Sequence, residues 1–171
     1  MLQGDPGRVR DYYDEHPISE AGVLAALADR GLTGSLTAES LFEFDQDHYG
    51  GLAAVDTLAR RAGVSGTSRV LDLCAGLGGP ARFVASRRGS AVVALELHPA
   101  RAAGAARLNR LVKQTRVSVV RADAMKLPFV DASFDACLSQ EALLHIADKP
   151  AVLGECHRVL VPGAAWPSAT G

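Results

Sequence analysis

The sequence predicts an α/β fold in which a mostly parallel sheet carries helices on both faces. From residue 69 onward, short apolar runs alternate with longer segments of helical spacing, a pattern typical of parallel strands joined by crossover helices. The first apolar run enters a glycine-rich turn that opens a helix. A length of 171 residues, of which 48% are hydrophobic, fits one domain with one core.

Residues 1–50 precede this alternation and predict a helical cap. Pro6 suits the first turn of a helix, and residues 20–31 show helical spacing that ends in a glycine. Thr37 is placed to cap a further helical turn, which then passes into a loop. We expect this cap to pack over the sheet as a lid.

The predicted core spans residues 51–163. An amphipathic helix leads into the first strand, and strands and helices then alternate. Strands are predicted at 69–74, 91–96, 116–121 and 134–139, and helices at 52–64, 80–88, 99–114 and 149–160. In the helix at 99–114, the spacing predicts a buried stripe of Ala103, Ala106, Leu108 and Leu111.

The glycine turn after the first strand predicts a site for an adenosine-bearing ligand. Residues 76–81 satisfy the G-x-G-x-x-(G/A) fingerprint of dinucleotide binding, and Glu96 ends the next strand 18 residues after Gly78. An NAD-dependent oxidoreductase is therefore one alternative. Asp72 lies inside the first strand, however, and Asp123 follows the third. A carboxylate beside a pyrophosphate brings like charges together, so these two residues favour a cationic ligand.

Five segments in order resemble the motifs of the class I S-adenosylmethionine-dependent methyltransferases, which have a Rossmann-like sheet. The segments are VLDLCAGLGG, VVALELHPA, RADAMKLPF, FDACLSQEALLHI and ECHRVLVPG, and the resemblance covers about residues 45–163. Within that family, AGLGGPARFVA and SQEALLHIADK are most similar to the small-molecule branch that holds sarcosine/dimethylglycine and ubiquinone-type methyltransferases. The resemblance implies an enzyme that transfers a methyl group from S-adenosylmethionine to a small-molecule nitrogen or oxygen acceptor.

The resemblance also implies a role for each residue at the carboxyl ends of the strands. Asp72 would face the methionine end of the cofactor, and Gly76 and Gly78 would make room for it. Cys74 stands where the family usually has its first glycine. The remaining implied contacts are Glu96 and Leu97 at the ribose, Asp123 and Ala124 at the adenine, and Ser139 and Gln140 beside the methyl group and the acceptor.

His145 is the candidate catalytic residue, because an imidazole titrates near neutral pH and can accept a proton from the acceptor. The alternative is a histidine that is packed or hydrogen-bonded as part of the structure. His48 and Tyr49 are candidates to close over the cofactor from the cap. The other histidines are scattered along the chain, so no metal site is predicted.

The composition of the chain restricts which binding partners and which cellular compartment are expected. Eighteen basic and nineteen acidic side chains leave a net charge of −1, which disfavours nucleic acid as a partner. The chain has no apolar run long enough for a membrane span, and its N-terminus is charged where a signal peptide is apolar. Three cysteines without a CxxC pair fit a reducing environment. We expect a soluble, cytoplasmic protein.

Residues 164–171 are predicted to be an aberrant tail. Residues 163–171, GAAWPSATG, are a poor match to a strand, with a proline where apolar residues should alternate. Deleting one guanine from a codon series for Gly-Gly-Arg-Met-Ala-Phe-Ser-Asp-Trp produces this segment. We therefore expect a frame-shifted or truncated methyltransferase whose C-terminal strands are missing. The fourth strand would then be an unpaired edge that favours self-association, and the chain could be a catalytically impaired, cofactor-binding fragment.

Overall fold

The computed structural model describes residues 18–169, which contain a six-stranded sheet. The strands are β1 (Arg69–Leu73), β2 (Ala91–Glu96), β3 (Val117–Arg121), β4 (Phe134–Gln140), β5 (Leu160–Ala165) and β6 (Ser168–Ala169). Their order is β3-β2-β1-β4-β5, with β6 also paired to β4, and every pairing is parallel. The predicted parallel sheet is confirmed, and its four predicted strands match within one residue at each end.

Six α-helices accompany the sheet in the described part of the chain. They are α1 (Glu20–Asp29), α2 (Ala38–Leu41), α3 (Gly51–Arg61), α4 (Gly79–Arg88), α5 (Pro99–Leu111) and α6 (Lys149–Val159). A 3₁₀ turn (Leu143–His145) precedes α6. No helix within residues 18–169 combines the length and the apolar character that crossing a membrane would require. The helix at Pro6 lies outside the described residues.

Apolar side chains cover both faces of the sheet, as predicted. On one face, α3, α4 and α5 contribute buried residues such as Leu58, Val84 and Leu108 to a core that includes strand residues Val70 and Val92. On the other face, α6 packs its buried residues Val152, Cys156 and Val159 against Leu71, Leu73, Leu95 and Cys137. Burial on both faces explains why the central strands are almost continuously apolar.

The cap docks on α4 and α5. Phe42, directly after α2, contacts Phe83 of α4 edge to face, with ring centroids 5.3 Å apart. Glu20 at the start of α1 forms an ion pair with Arg107 of α5. These contacts hold the segment after α2 beside the carboxyl end of β1, where the predicted ligand site lies.

The predicted stripe of α5 is wrong at three of its four positions. Leu108 is buried, but Ala103 and Leu111 are exposed and Ala106 is half-buried. The buried face consists of Arg101, Ala102, Gly104, Ala105, Leu108 and Asn109. A search for apolar residues alone misses this face, because two of its members, Arg101 and Asn109, are buried polar side chains held by hydrogen bonds.

The fourth strand is not an unpaired edge, so that expectation is wrong. In β5, Leu160 lies opposite Phe134 and Ala165 opposite Ala136, with a shift of register between them. In β6, Ser168 and Ala169 pair with the end of β4. Backbone pairing does not require alternating apolar side chains, and Pro167 lies between the two strands, where its missing N–H costs no ladder bond. The boundary predicted at residue 164 therefore lies inside β5.

Candidate functional site

A cavity of about 630 Å³ opens at the carboxyl ends of β1 to β4. Its wall is formed by the β1–α4 turn, the end of β2, the loops after β3 and β4, and residues 45–49 of the cap. Open parallel sheets bind ligands at this edge, because the strand ends diverge there and leave a crevice. The volume lies within the range of small-molecule sites.

The β1–α4 turn depends on glycine at two positions. Gly76 and Gly78 have φ angles of 57° and 80°, in the left-handed region that other residues rarely adopt. A Cβ at Gly76 would also lie 2.7 Å from Arg101 Nη2. The turn therefore brings bare backbone to the cavity, as the sequence predicted.

Cys74 is a non-glycine residue in the same left-handed region, with a φ of 56°. This conformation explains why the related family usually places glycine here. Burial, together with the negative charges of Glu96 and Asp72, raises the pKa of the Cys74 thiol. The side chain therefore stays a neutral thiol, and a nucleophilic role is disfavoured.

Cys74→Gly is expected to be more stable than Cys74→Ala by about 1 kcal/mol, because only glycine adopts this backbone without strain. Urea denaturation of the two variants measures the difference. Ala75 has no positive φ, so Ala75→Gly should destabilise the fold and serves as the control. Equal stability of the two Cys74 variants would contradict the assignment of strain.

Glu96 is held rigidly at the end of β2. Its Oε2 accepts a hydrogen bond from the Gly76 backbone N–H at 2.8 Å, and its Oε1 accepts one from the His98 backbone N–H at 2.7 Å. Each carboxylate oxygen keeps a further lone pair for a ligand hydroxyl. Leu97, the next residue, also lines the cavity. The carboxylate therefore joins the glycine turn to the predicted ribose position.

Asp72 presents a buried carboxylate to the cavity. The residue is 4% exposed, and its Oδ2 has no hydrogen-bond partner within residues 18–169. Burial, with a smaller contribution from the Glu96 charge, raises the pKa of Asp72 to about 7, against the opposing effects of the Ala81 N–H and Arg82. A buried acceptor without a partner is costly, so this atom suits a cationic or hydrogen-bond-donating ligand group.

The loop after β3 brings Asp123 and Ala124 to the same cavity. Asp123 Oδ1 accepts a hydrogen bond from the Met125 N–H at 2.8 Å, which stabilises the turn. At the end of β4, Gln140 lines the cavity but Ser139 does not. Ser139 is 1% exposed. Consecutive strand residues point to opposite faces of a sheet, so only one of this pair reaches the cavity.

His145 lines the cavity from the 3₁₀ turn, opposite the cap residues His48 and Tyr49. Gln140 Nε2 lies 3.3 Å from His48 Nδ1. The Tyr49 backbone N–H donates to Glu141 Oε1 at 2.8 Å. The predicted residues of the cap and of the β4 loop therefore meet at the mouth of the cavity. No cluster of three or more potential metal ligands occurs within residues 18–169.

Residues 71–166 match the family model of the methyltransferase domain. The chain belongs to this family. Sterol 24-C-methyltransferase of Eremothecium gossypii is 38% identical over 110 residues, which cover 64% of this chain and 30% of that protein. Cycloartenol-C-24-methyltransferase of Arabidopsis thaliana is 37% identical over 110 residues, which cover 64% of this chain and 33% of that protein. The chain thus spans about a third of the length of these curated relatives.

The methyltransferase domain also has solved structural neighbours. Phosphoethanolamine N-methyltransferase 2 of Haemonchus contortus, in complex with S-adenosyl-L-methionine, is 26% identical, with a TM-score of 0.75. The match covers 94% of this chain and 35% of that one. The predicted methyltransferase family and its Rossmann-like fold are confirmed. The family match also decides against the NAD-dependent oxidoreductase.

Two ion pairs of this methyltransferase domain were missed by the sequence analysis. Arg82 of α4 is fully buried and pairs with Asp45 of the cap, and Arg101 of α5 pairs with Asp47. An arginine within the apolar run PARFVA was a signal that a buried partner exists. Nothing in the local pattern identified that partner, because Asp45 lies 37 residues away along the chain.

Proposed function

We propose that this chain transfers a methyl group from S-adenosylmethionine to a nitrogen or oxygen atom of a small-molecule acceptor. The observation that carries the proposal is the Asp72 carboxylate, which is buried, lacks a partner at Oδ2 within the described chain and faces the cavity beside the glycine turn. A cationic or donating group at the methionine end of the cofactor would satisfy it.

The donor set of the cavity fits the remaining parts of this cofactor. The Glu96 carboxylate is oriented by the N–H groups of Gly76 and His98 and can accept from the ribose hydroxyls. Asp123, beside Ala124, can accept from the adenine amino group. These residues would bind and orient the cofactor. The cofactor, when bound, supplies a methyl group on a sulfonium centre.

The chain contributes to catalysis mainly by alignment. Methyl transfer from a cation to a neutral nucleophile moves positive charge but creates little, so orientation in a closed site supplies most of the acceleration. Gln140, His48 and His145 also line the cavity, with Gln140 in contact with His48, and suit the acceptor. His145 can accept a proton from that acceptor.

His145→Ala is expected to lower turnover by about 100-fold, as for loss of a general base, while S-adenosylhomocysteine affinity changes less than about twofold. Steady-state kinetics and calorimetry measure the two effects. His157 lies exposed on α6 outside the cavity, so His157→Ala is the control. Equal losses in turnover and affinity, or none, would contradict the role.

Calorimetry with S-adenosylmethionine, S-adenosylhomocysteine and NAD tests the proposed function first. Binding of the first two and not of NAD is expected. Release of S-adenosylhomocysteine is then measured with amine, hydroxyl and sterol acceptors. If only a sterol is methylated, the proposed acceptor atom would be carbon instead of nitrogen or oxygen. Cofactor binding without turnover on any acceptor would favour the catalytically impaired fragment.

We also propose that the chain works in a reducing cytoplasm and does not bind nucleic acid. The Cys137 and Cys156 sulfur atoms lie 3.8 Å apart as free thiols in the core, which supports a reducing compartment. The net charge of −1 supports the absence of a polyanionic partner. Self-association through a sheet edge stays a prediction, with β5 and β6 rather than β4 forming that edge.

A further inference from the structure

Residues 45–49, which we term the strap, follow α2 and form part of the cavity wall. Its residues Asp45 and Gln46 lie beside Gly79, at the end of the glycine turn. The sequence predicts a role for the last two residues of the strap only. The contacts of its first three residues indicate a further role.

Gly79, the first residue of α4, is in direct contact with the strap. A Cβ at Gly79 would lie 2.1 Å from the Asp45 carbonyl oxygen and 2.8 Å from Gln46 Nε2. Gly79 has no positive φ, so its backbone would accept alanine. The close approach of the strap is therefore what requires glycine at this position.

Arg82 connects the strap to the glycine turn through one buried side chain. Its Nε and Nη2 lie 3.0 and 2.9 Å from Asp45 Oδ2. Its Nη2 donates to the Leu77 carbonyl oxygen at 2.6 Å, inside the turn, and its Nη1 donates to Asn109 Oδ1 at 2.8 Å. A buried ion pair gives little net stability compared with apolar residues of similar size. Net stability alone therefore does not explain this pair.

A second cation repeats this arrangement farther along the strap. Arg101 donates to Asp47 through Nη2 and to the Ile18 carbonyl oxygen through Nη1. Its Nη2 is also the atom nearest to the position that a Cβ of Gly76 would occupy. One arginine therefore hydrogen-bonds to both the strap and Leu77 of the glycine turn, and a second arginine bonds to the strap and lies beside Gly76.

We propose that docking of the strap on α4 sets the cofactor affinity of this domain, with Gly79 and Arg82 as positioning residues. The proposal rests on the proposed function. Arg82 acts through the Leu77 carbonyl and the strap, which together shape the methionine end of the cavity. Displacing the strap would open the cavity wall there and leave the sheet and its core unchanged.

The test compares Gly79→Ala with the matched control Gly154→Ala. Gly154 lies in α6, where a Cβ meets no atom of the described chain within 4 Å. Calorimetry should show S-adenosylhomocysteine bound about tenfold more weakly by Gly79→Ala, the effect of a typical overpacked contact, and unchanged by Gly154→Ala. Affinity of Gly79→Ala within about twofold of the unmodified chain would overturn the proposal. Failure of the unmodified chain to bind S-adenosylhomocysteine would overturn the proposed function, and this inference with it.

Replacing both Arg82 and Asp45 by apolar residues separates an effect on strap position from an effect on stability. This test applies even where Gly79→Ala fails to fold. Arg82→Met alone leaves Asp45 buried without its partner and should lower the unfolding midpoint. Adding Asp45→Leu should recover the midpoint, while S-adenosylhomocysteine affinity stays about tenfold weaker. Hydrogen exchange should show that this ligand slows the amides of residues 45–49 in the unmodified chain but not in the double variant. If the double variant recovers both ligand affinity and the unfolding midpoint, the ion pair contributes to stability only, and the proposal is overturned.

Discussion

Glu96→Gln is expected to weaken the binding of S-adenosylhomocysteine by about 100-fold, or about 2.7 kcal/mol. Both Glu96 oxygens accept backbone N–H groups, from Gly76 and from His98. An amide has one acceptor oxygen, so its NH₂ group would face a donor and leave one N–H unsatisfied, which lowers the stability of the folded chain by about 1–3 kcal/mol. Binding weakens because the variant loses an acceptor for a ribose hydroxyl. Calorimetry measures the affinity.

Glu155→Gln is the matched control for this change. Glu155 also accepts a backbone N–H, from Leu127 at 2.7 Å, but it lies outside the cavity. The control should lower the unfolding midpoint and leave ligand affinity unchanged. An affinity of Glu96→Gln within about threefold of the unmodified chain would show that the carboxylate does not hold the ribose.

Asp72→Asn is expected to change the pH dependence of both stability and ligand binding. The pKa of Asp72 is raised from the ordinary 3.8 to about 7, mainly by burial. The folded chain therefore holds this proton more tightly than the unfolded chain does. The contribution of Asp72 to stability is fully present below about pH 4 and is lost as the pH rises through about 7, by about 4 kcal/mol at 1.36 kcal/mol per pKa unit. The amide that replaces the carboxyl cannot titrate, so the variant should lack this loss and be more stable than the unmodified chain at pH 8.

Ligand affinity should increase as the pH rises, whereas the contribution of Asp72 to stability decreases. The ionised Asp72 carboxylate can bind the ammonium group of S-adenosylhomocysteine, so affinity in the unmodified chain should rise relative to the variant between about pH 5 and pH 8. At pH 8 the variant should bind about 100-fold more weakly, as for loss of a buried charged hydrogen bond. The ratio of the dissociation constants of the two proteins at each pH removes the effect of the titration of the ligand itself.

Denaturation and calorimetry across this pH range check both effects. Asp29 is exposed on α1, and Asp29→Asn should reproduce neither of them. Parallel pH profiles for Asp72→Asn and the unmodified chain would show that the carboxyl does not titrate in this window. A variant that is more stable yet binds equally well would remove Asp72 from the cofactor site.

Local patterns in the sequence were sufficient for strands β1 to β4 and for the glycine turn and the carboxylates at their ends. Apolar runs identified β1 to β4 within one residue at each end, because burial on both faces demands such runs. The glycine turn was identified because positive φ angles require glycine at Gly76 and Gly78. Asp72, Glu96 and Asp123 could be placed together because the carboxyl ends of parallel strands meet at one edge of a sheet.

Tertiary structure alone decided the features that join distant parts of the chain. The buried partner of Arg82, the contact of Gly79 with the strap and the pairing of β5 and β6 with β4 each depend on segments brought together by folding. The same holds for the polar buried face of α5 and for Gln140 rather than Ser139 in the cavity wall. Backbone pairing and buried polar partners are set by three-dimensional proximity and leave little periodic trace in a sequence. The sequence by itself therefore determined which strand ends and which turn line the cavity, and the tertiary structure decided how the cap is held against it.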